Sequence, residues 1–144
     1  MGNKVTINEI ISTPLKRISV IDGDVLHAMK KSDIGFTGYG ESYFSLINKG
    51  AIKAWKKHLK MTLNLIVPFG RVRFVFMDDN GLFREETIGN NNYARLTVPP
   101  GIWFGFQSDF EKTSLVLNIA SIEHSSEEVE QKDINNFEFN WGIK

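Results

Sequence analysis

The chain contains no cysteine. That absence excludes disulfides, thiolate metal sites and cysteine nucleophiles together, and it fits a reducing compartment, for which the cytoplasm is the expectation. Net charge is absent as well, because 17 Lys and Arg balance 17 Asp and Glu. With no excess of one sign, no global field draws the protein to nucleic acid or to an anionic membrane, and neither is expected as a partner. Long apolar runs are also missing. The start, "MGNKVTINEIISTPLKR", interleaves charges with short apolar runs, unlike a signal peptide, and no stretch approaches the length of a membrane span. Histidine is scarce: only His27, His58 and His124 occur.

What is present is enough apolar material for one core. The 144 residues are 42% hydrophobic, which is the size and content of a single domain over 1–144. Short runs rich in Val, Ile, Phe and Thr recur: "KVTINEI", "RISVI", "SYFSLI", "MTLNLIVPF", "RVRFVFM", "FREETIG", "ARLTVP", "WFGFQ" and "SLVLNIA". Several alternate polar with apolar residues, as half-buried strands do. Between them stand "DGD", "NKG", "PFG", "DDNG", "GNNN" and "PPG", where Gly, Asn, Asp and Pro supply tight reversals. Many short strands with close turns predict an all-β antiparallel sandwich or barrel. Helical signal is confined to "DVLHAMKKSD" and to "SSEEVEQKDINN", the second a short acidic helix capped by Ser, and neither reads as a core element. Residues 1–20 are expected to form N-terminal strands that serve as a dimer arm. Residues 125–144, with the aromatics of "NFEFNW", are expected to pack as a tail on the barrel.

The chemistry centres on His58. If residues 55 to 67 form one strand, Lys56, His58, Lys60, Thr62 and Asn64 share a face opposite Trp55, Leu59, Met61, Leu63 and Leu65. Solvated lysines beside an incidental histidine are the plainer account of the same residues. Two asparagines favour a lined pocket. Asn64 in "TLNLIV" and Asn118 in "SLVLNIA" sit among apolar neighbours, and burying an amide without partners costs roughly 1 to 3 kcal/mol. Each therefore bonds to backbone or faces a polar cavity. In "LTVPPGIWFGFQ" the residues Trp103, Phe104 and Phe106 concentrate aromatic surface that either plugs a barrel end or forms a wall on which a base or sugar ring stacks.

The order of these pieces resembles the cupin superfamily, and within it the sugar-nucleotide epimerases and ketoisomerases of the dTDP-4-dehydrorhamnose 3,5-epimerase type. The cupin pattern is Gly, five residues, His-x-His, three or four residues, Glu, six residues, Gly; after a variable loop it continues Pro-x-Gly, two residues, His. Here Gly50 is followed after five residues by Lys56-Lys57-His58, after three more by Thr62, and then by Gly70 one position late; Pro99-Pro100-Gly101 is followed after two residues by Phe104. "VPPGIWFGF" is similar to the epimerases' Pro-x-Gly-x-x-His-Gly-Phe, and "FEFNW" to their closing Trp segment. The resemblance implies a cupin jelly-roll, a double-stranded β-helix barrel with minor short helices, acting on a nucleotide sugar.

The departures from that pattern shape the expected activity. Three of the four usual cupin metal ligands are replaced by Lys56, Thr62 and Phe104, and one imidazole does not hold a catalytic divalent metal against water, so no metal and no cofactor are expected. The epimerases' base falls on Lys56, His58 matches the second histidine of the ketoisomerases, and the epimerases' tyrosine acid meets Leu117 or Asn118. The expected reaction is proton transfer alpha to the ketone of a dTDP-4-keto-6-deoxyhexose, in the making of surface polysaccharide sugars. His58 is the expected base and Lys56 the electrostatic stabiliser. Asn64 and Asn118 are expected to orient sugar hydroxyls, Arg73 and Arg95 to hold the diphosphate through their guanidinium forks, and Lys53, Trp103 and Phe104 to complete the substrate contacts. A catalytically inactive binder of a sugar or sugar nucleotide is the alternative, and an interaction domain with a filled barrel is a third. A homodimer is expected, as in related epimerase-like cupins, its motive the cover of an exposed sheet edge.

Overall fold

The computed structural model describes residues 4–142; the outermost residues of the expected arm and tail, 1–3 and 143–144, lie outside the described residues. The strands, numbered along the chain, build two five-stranded antiparallel sheets. The first runs β1 (Ile11–Pro14), β9 (Ala94–Val98), β6 (Leu63–Phe69), β11 (Ser114–Ala120), β4 (Glu41–Ile47). The second runs β12 (Val129–Gln131), β5 (Ile52–His58), β10 (Trp103–Ser108), β7 (Arg71–Met77), β8 (Phe83–Gly89). A small hairpin of β2 (Arg17–Ile18) and β3 (Val25–Leu26) stands apart. From β4 to β12 consecutive strands alternate between the sheets, except that β7 and β8 form a hairpin within the second. That alternation is the jelly-roll, an all-β cupin barrel.

Each crossing needs a sharp corner, and the turn residues supply it. Gly70, between β6 and β7, has φ 99°, and a Cβ there would lie 2.3 Å from Ser114 Oγ, so only glycine fits. The "PPG" segment turns the chain from β9 in the first sheet to β10 in the second. Between the sheets lies the main core, with Leu63, Leu65 and Val67 of β6 facing Val72, Phe74 and Phe76 of β7. A second apolar layer covers the outer face of the second sheet. There Trp55, Val75 and Trp103 pack under Trp141, with Phe83, Phe137 and Phe139 around them. The C-terminal tail therefore packs on the barrel through its aromatics, and Trp55 and Trp141 approach to 5.3 Å between ring centroids.

Four sequence expectations are corrected. The single strand over 55–67 is two strands, because the chain crosses between sheets at 59–62; His58 ends β5 in one sheet and Asn64 lies on β6 in the other. "KVTINEI" is not a strand but leads into a 3-10 turn at Ile7–Glu9. It is pinned by Asp78 Oδ2, which accepts from Ile7 N at 2.9 Å, and by Arg84 Nη1, which donates to the carbonyls of Ile7 and Ile10. "DVLHAMKKSD" holds β3 and turns rather than a helix. "SSEEVEQKDINN" splits into two 3-10 turns, Ser126–Glu128 and Ile134–Asn136, flanking β12, and it contributes a buried side chain, Glu128, instead of a solvated surface.

Trp55 is the largest side chain closed off behind the strand that carries His58. Trp55→Ala is expected to lower stability by about 3 to 5 kcal/mol through lost burial and the cavity left behind, as read from the midpoint and slope of chemical denaturation.

Candidate active site

β5 positions the site. Its pairing with β10 shifts register between Phe104 and Gly105, so strict alternation is broken along the strand. As a result Lys53, Lys56 and His58 all line one cavity, although an unbroken period of two would send positions 53 and 56 to opposite faces. The cavity measures about 410 Å³ and lies between the two sheets near the β4 and β12 edges. Leu63, Leu65 and Val116 make its apolar floor, and Phe104 and Phe106 make part of its wall.

His58 is 6% exposed, and its ring stacks on Phe104 at 6.0 Å with an interplanar angle of 19°. Its Nδ1 is 2.5 Å from Glu128 Oε1. The strand register delivers this partner, since Val129 of β12 pairs with His58 and so sets the preceding residue beside the imidazole. Glu128 is 3% exposed, and its other oxygen accepts from the backbone N–H groups of Lys60 and Met61 at 3.2 Å each. Burial alone would raise the Glu128 carboxyl, but the bond to His58 and the two backbone donors outweigh it and hold the carboxyl below its ordinary value of 4.5. An ionised carboxylate only accepts hydrogen bonds, so the proton shared with Glu128 sits on His58 Nδ1, and in a neutral ring that tautomer leaves the Nε2 lone pair bare.

The cavity is electropositive. Lys53, Lys56 and Lys132 line it, and no carboxylate does. Lys132 sets its ammonium 4.9 Å over the Trp103 ring, and Lys53 donates to Leu46 O at 3.1 Å. Lys56 is exposed and makes no ion pair among the described residues. A shallower hollow of about 470 Å³ beside Gly50 holds no histidine, and its Arg71 is paired with Asp109 at 3.2 Å. The chemistry concentrates at His58.

Of the sequence-predicted site residues, His58, Lys56, Lys53, Phe104 and Asn118 converge on the cavity. Asn64, Arg73, Arg95 and Trp103 do not, and each has a structural partner instead. Asn64 faces out of the barrel, where Nδ2 donates to Gly35 O at 3.0 Å and Oδ1 accepts from Thr97 Oγ1 at 2.6 Å. Arg95, 1% exposed, donates to the carbonyls of Ala28 and Ile34 and pairs with Asp33 at 3.3 Å, pinning the segment over the first sheet. Arg73 holds the tail through Trp141 O at 3.1 Å and pairs with Glu85 at 2.7 Å. Trp103 is buried in the outer aromatic layer. Sequence reasoning missed Glu128, Tyr43, His124 and Gln131, which complete the site or line it. For Glu128 the only signal was that a buried base needs an anionic partner, and the neighbouring Glu127 and Glu130 met that requirement equally on paper.

The cupin fold raises the question of a metal. Among the described residues no three His, Cys, Asp or Glu side chains come together. Phe104 stacks on His58, and Glu128 spends its second oxygen on backbone donors. The residues present do not fit a divalent ion.

A scan against models of known protein families finds none that matches. Among solved structures, the chain superposes with TM-score 0.90 on the dTDP sugar isomerase of Desulfovibrio desulfuricans G20, 31% identical, covering 94% of this chain and 93% of that one. The chain belongs to the dTDP-sugar isomerase family. The dTDP-4-dehydrorhamnose 3,5-epimerase of Sulfolobus tokodaii shares the cupin fold at TM-score 0.83 and 20% identity, over 99% of this chain and 86% of that one. A curated relative, the probable low-salt glycan biosynthesis epimerase Agl13 of Haloferax volcanii, is 26% identical over 100 residues, 65% of this chain. The match spans 64% of that relative's length.

The Glu128 carboxylate makes stability depend on acid. Because its folded pKa lies below the ordinary 4.5, its contribution is fully present above that value and is lost as pH falls through the lower folded value. Thermal melts from pH 7 to pH 3 are expected to show a fall beginning near pH 4.5 that is shallower in Glu128→Gln.

Proposed function

We propose that the chain moves a proton alpha to the ketone of a dTDP-4-keto-6-deoxyhexose, as an epimerase or ketoisomerase supplying sugars for a surface glycan. The observation that carries this reading is the buried His58–Glu128 pair opening on a cavity lined by lysines, in a chain 31% identical to a dTDP sugar isomerase. Nε2 of His58 takes the proton from the carbon beside the ketone. The C–H electrons move into a carbon–carbon double bond, and the carbonyl electrons move onto oxygen as an enolate. Glu128 stabilises the imidazolium that results, and the Lys56 ammonium stabilises the enolate oxygen. Reprotonation of the same carbon from its other face, by water that enters the cavity while His58 returns its proton to solvent, inverts it; when the proton shifts between the two oxygens and His58 returns its proton to the former carbonyl carbon, the ketone is relocated. The anionic diphosphate matches the exposed Lys53 on the cavity wall. A binder without turnover is the second reading, favoured by Lys56 and Phe104 standing where the family pattern has histidines.

Incubation with dTDP-4-keto-6-deoxyglucose in heavy water tests the chemistry. The wild-type protein is expected to place deuterium beside the ketone, and His58→Asn to slow this by about a hundredfold or more, with Lys56→Met lowering kcat more than it raises KM. Binding of the nucleotide sugar with no exchange in the wild type would establish the second reading.

A homodimer is part of the same proposal, with the cytoplasm as its compartment. β1 pairs with β9 of its own chain, so the first sheet ends in β1 on one side and in β4 on the other, and β4 carries Phe44 at 64% and Leu46 at 65% exposure. A second copy covering that edge removes unpaired backbone groups and exposed hydrocarbon together. Analytical sedimentation at micromolar concentration is expected to show the dimer mass and, for Leu46→Lys, the monomer; a wild-type monomer discards this assembly.

A further inference from the structure

We infer that the aromatic face of Phe104 stabilises the cationic form of His58 during proton transfer, at a position where the cupin pattern has a metal-binding histidine; this rests on the proton-transfer reading of the site. Phe104 acts through the base, as a positioning residue. The two rings lie 6.0 Å apart between centroids and are inclined by 19°. Both are closed off from water, His58 at 6% and Phe104 at 7% exposure. Strand β10 pairs Phe104 with Lys56 on one side and with Phe76 of the main core on the other. An imidazole N–H points in the ring plane, whereas a stacked ring presses on the face, so Glu128 and Phe104 restrain the base in different directions.

Charge decides what the stack does beyond restraint. Taking a proton makes His58 a cation beside other cations, since Lys53, Lys56 and Lys132 line the same cavity and no carboxylate does. Glu128 supplies one negative charge, and its second oxygen already accepts from the N–H groups of Lys60 and Met61. The other group set against the imidazole is the face of Phe104. A ring face is electron-rich, and it attracts a cation within about 6 Å, more strongly where water is excluded. A neutral imidazole carries no net charge to attract. The contact therefore strengthens as the proton moves onto His58, which lowers the barrier instead of tightening the ground state.

A fluorination series at position 104 of the full chain tests the inference, with phenylalanines carrying one, two and three ring fluorines installed in place of Phe104. Fluorine draws electron density from the ring face and adds little bulk, so charge attraction is titrated while the packing is kept. The readout is deuterium incorporation into dTDP-4-keto-6-deoxyglucose in heavy water. With each added fluorine kcat is expected to fall, by about tenfold at three, with KM and melting temperature unchanged. Phe104→Leu, which has no ring face, is expected to lose about tenfold in kcat as well. A kcat indifferent to fluorine number, a change confined to KM, or a kcat that falls only in step with melting temperature overturns the inference. Loss of exchange in His58→Asn then still upholds the proton-transfer reading. A wild type that incorporates no deuterium overturns that reading and the inference with it.

Discussion

The Glu128 carboxylate ties together three pieces of chain that have no covalent reason to stay near one another. One oxygen meets His58 at the end of β5, the other caps the N–H groups of Lys60 and Met61 in the crossing to the first sheet, and the residue itself ends the 3-10 turn that leads into β12. Its backbone carbonyl also accepts from Leu59 N at 2.7 Å. A buried carboxylate persists only when its lone pairs are met, and here all partners belong to the segment that shapes the base. The same contact that closes the barrel corner also fixes the tautomer and direction of His58. Stability and the proposed chemistry are thus coupled through one group, and the acid sensitivity expected of the fold follows from the ionised state of that carboxylate.

Behind β5 the aromatic layer supplies the rigidity that such a contact needs. Trp55 and Trp103 lie under Phe137, Phe139 and Trp141, and the tail is held from below by Arg73, whose guanidinium sits 5.1 Å from the Phe139 ring. The backbone of Lys132 exchanges hydrogen bonds with that of Trp55 at 3.0 Å in both directions. One face of the second sheet therefore carries the cavity while the other is packed as a second core. The arrangement explains why aromatics that read as a substrate wall in sequence are divided in space: Phe104 and Phe106 face in, and Trp103 faces out.

Electrostatics inside the cavity bear no relation to those of the whole chain. A neutral total coexists with three lysines and two histidines on one wall set and no carboxylate among the lining residues. Low-dielectric walls strengthen the attraction of such a cluster for an anion, while the balanced exterior avoids nonspecific capture of polyanions. The arginines that look like phosphate ligands by residue type are used for structure, Arg95 to pin the 28–34 segment and Arg73 to pin the tail. The lysines of the cavity, Lys53, Lys56 and Lys132, are exposed instead.

The pattern of short alternating runs and turn residues determined β4 and the strands from β6 to β11, though not the separate β5, and the spacing of Gly50, His58, Pro99 and Gly101 determined the cupin likeness, because local hydrophobic period and turn chemistry are written residue by residue. The candidate base, His58, was legible for the same reason, as the one histidine within the cupin spacing. Which asparagine faces the cavity was not. Asn64 and Asn118 have equivalent apolar neighbours, and the choice was made by the sheet crossing at 59–62, which sends Asn64 outward to Gly35 and Thr97. The partner of His58 lies 70 residues away, at Glu128, and Tyr43 meets Asn118 across 75. Contacts at such separations arise from strand register and packing between sheets, and no local preference encodes them; only the tertiary structure decided them.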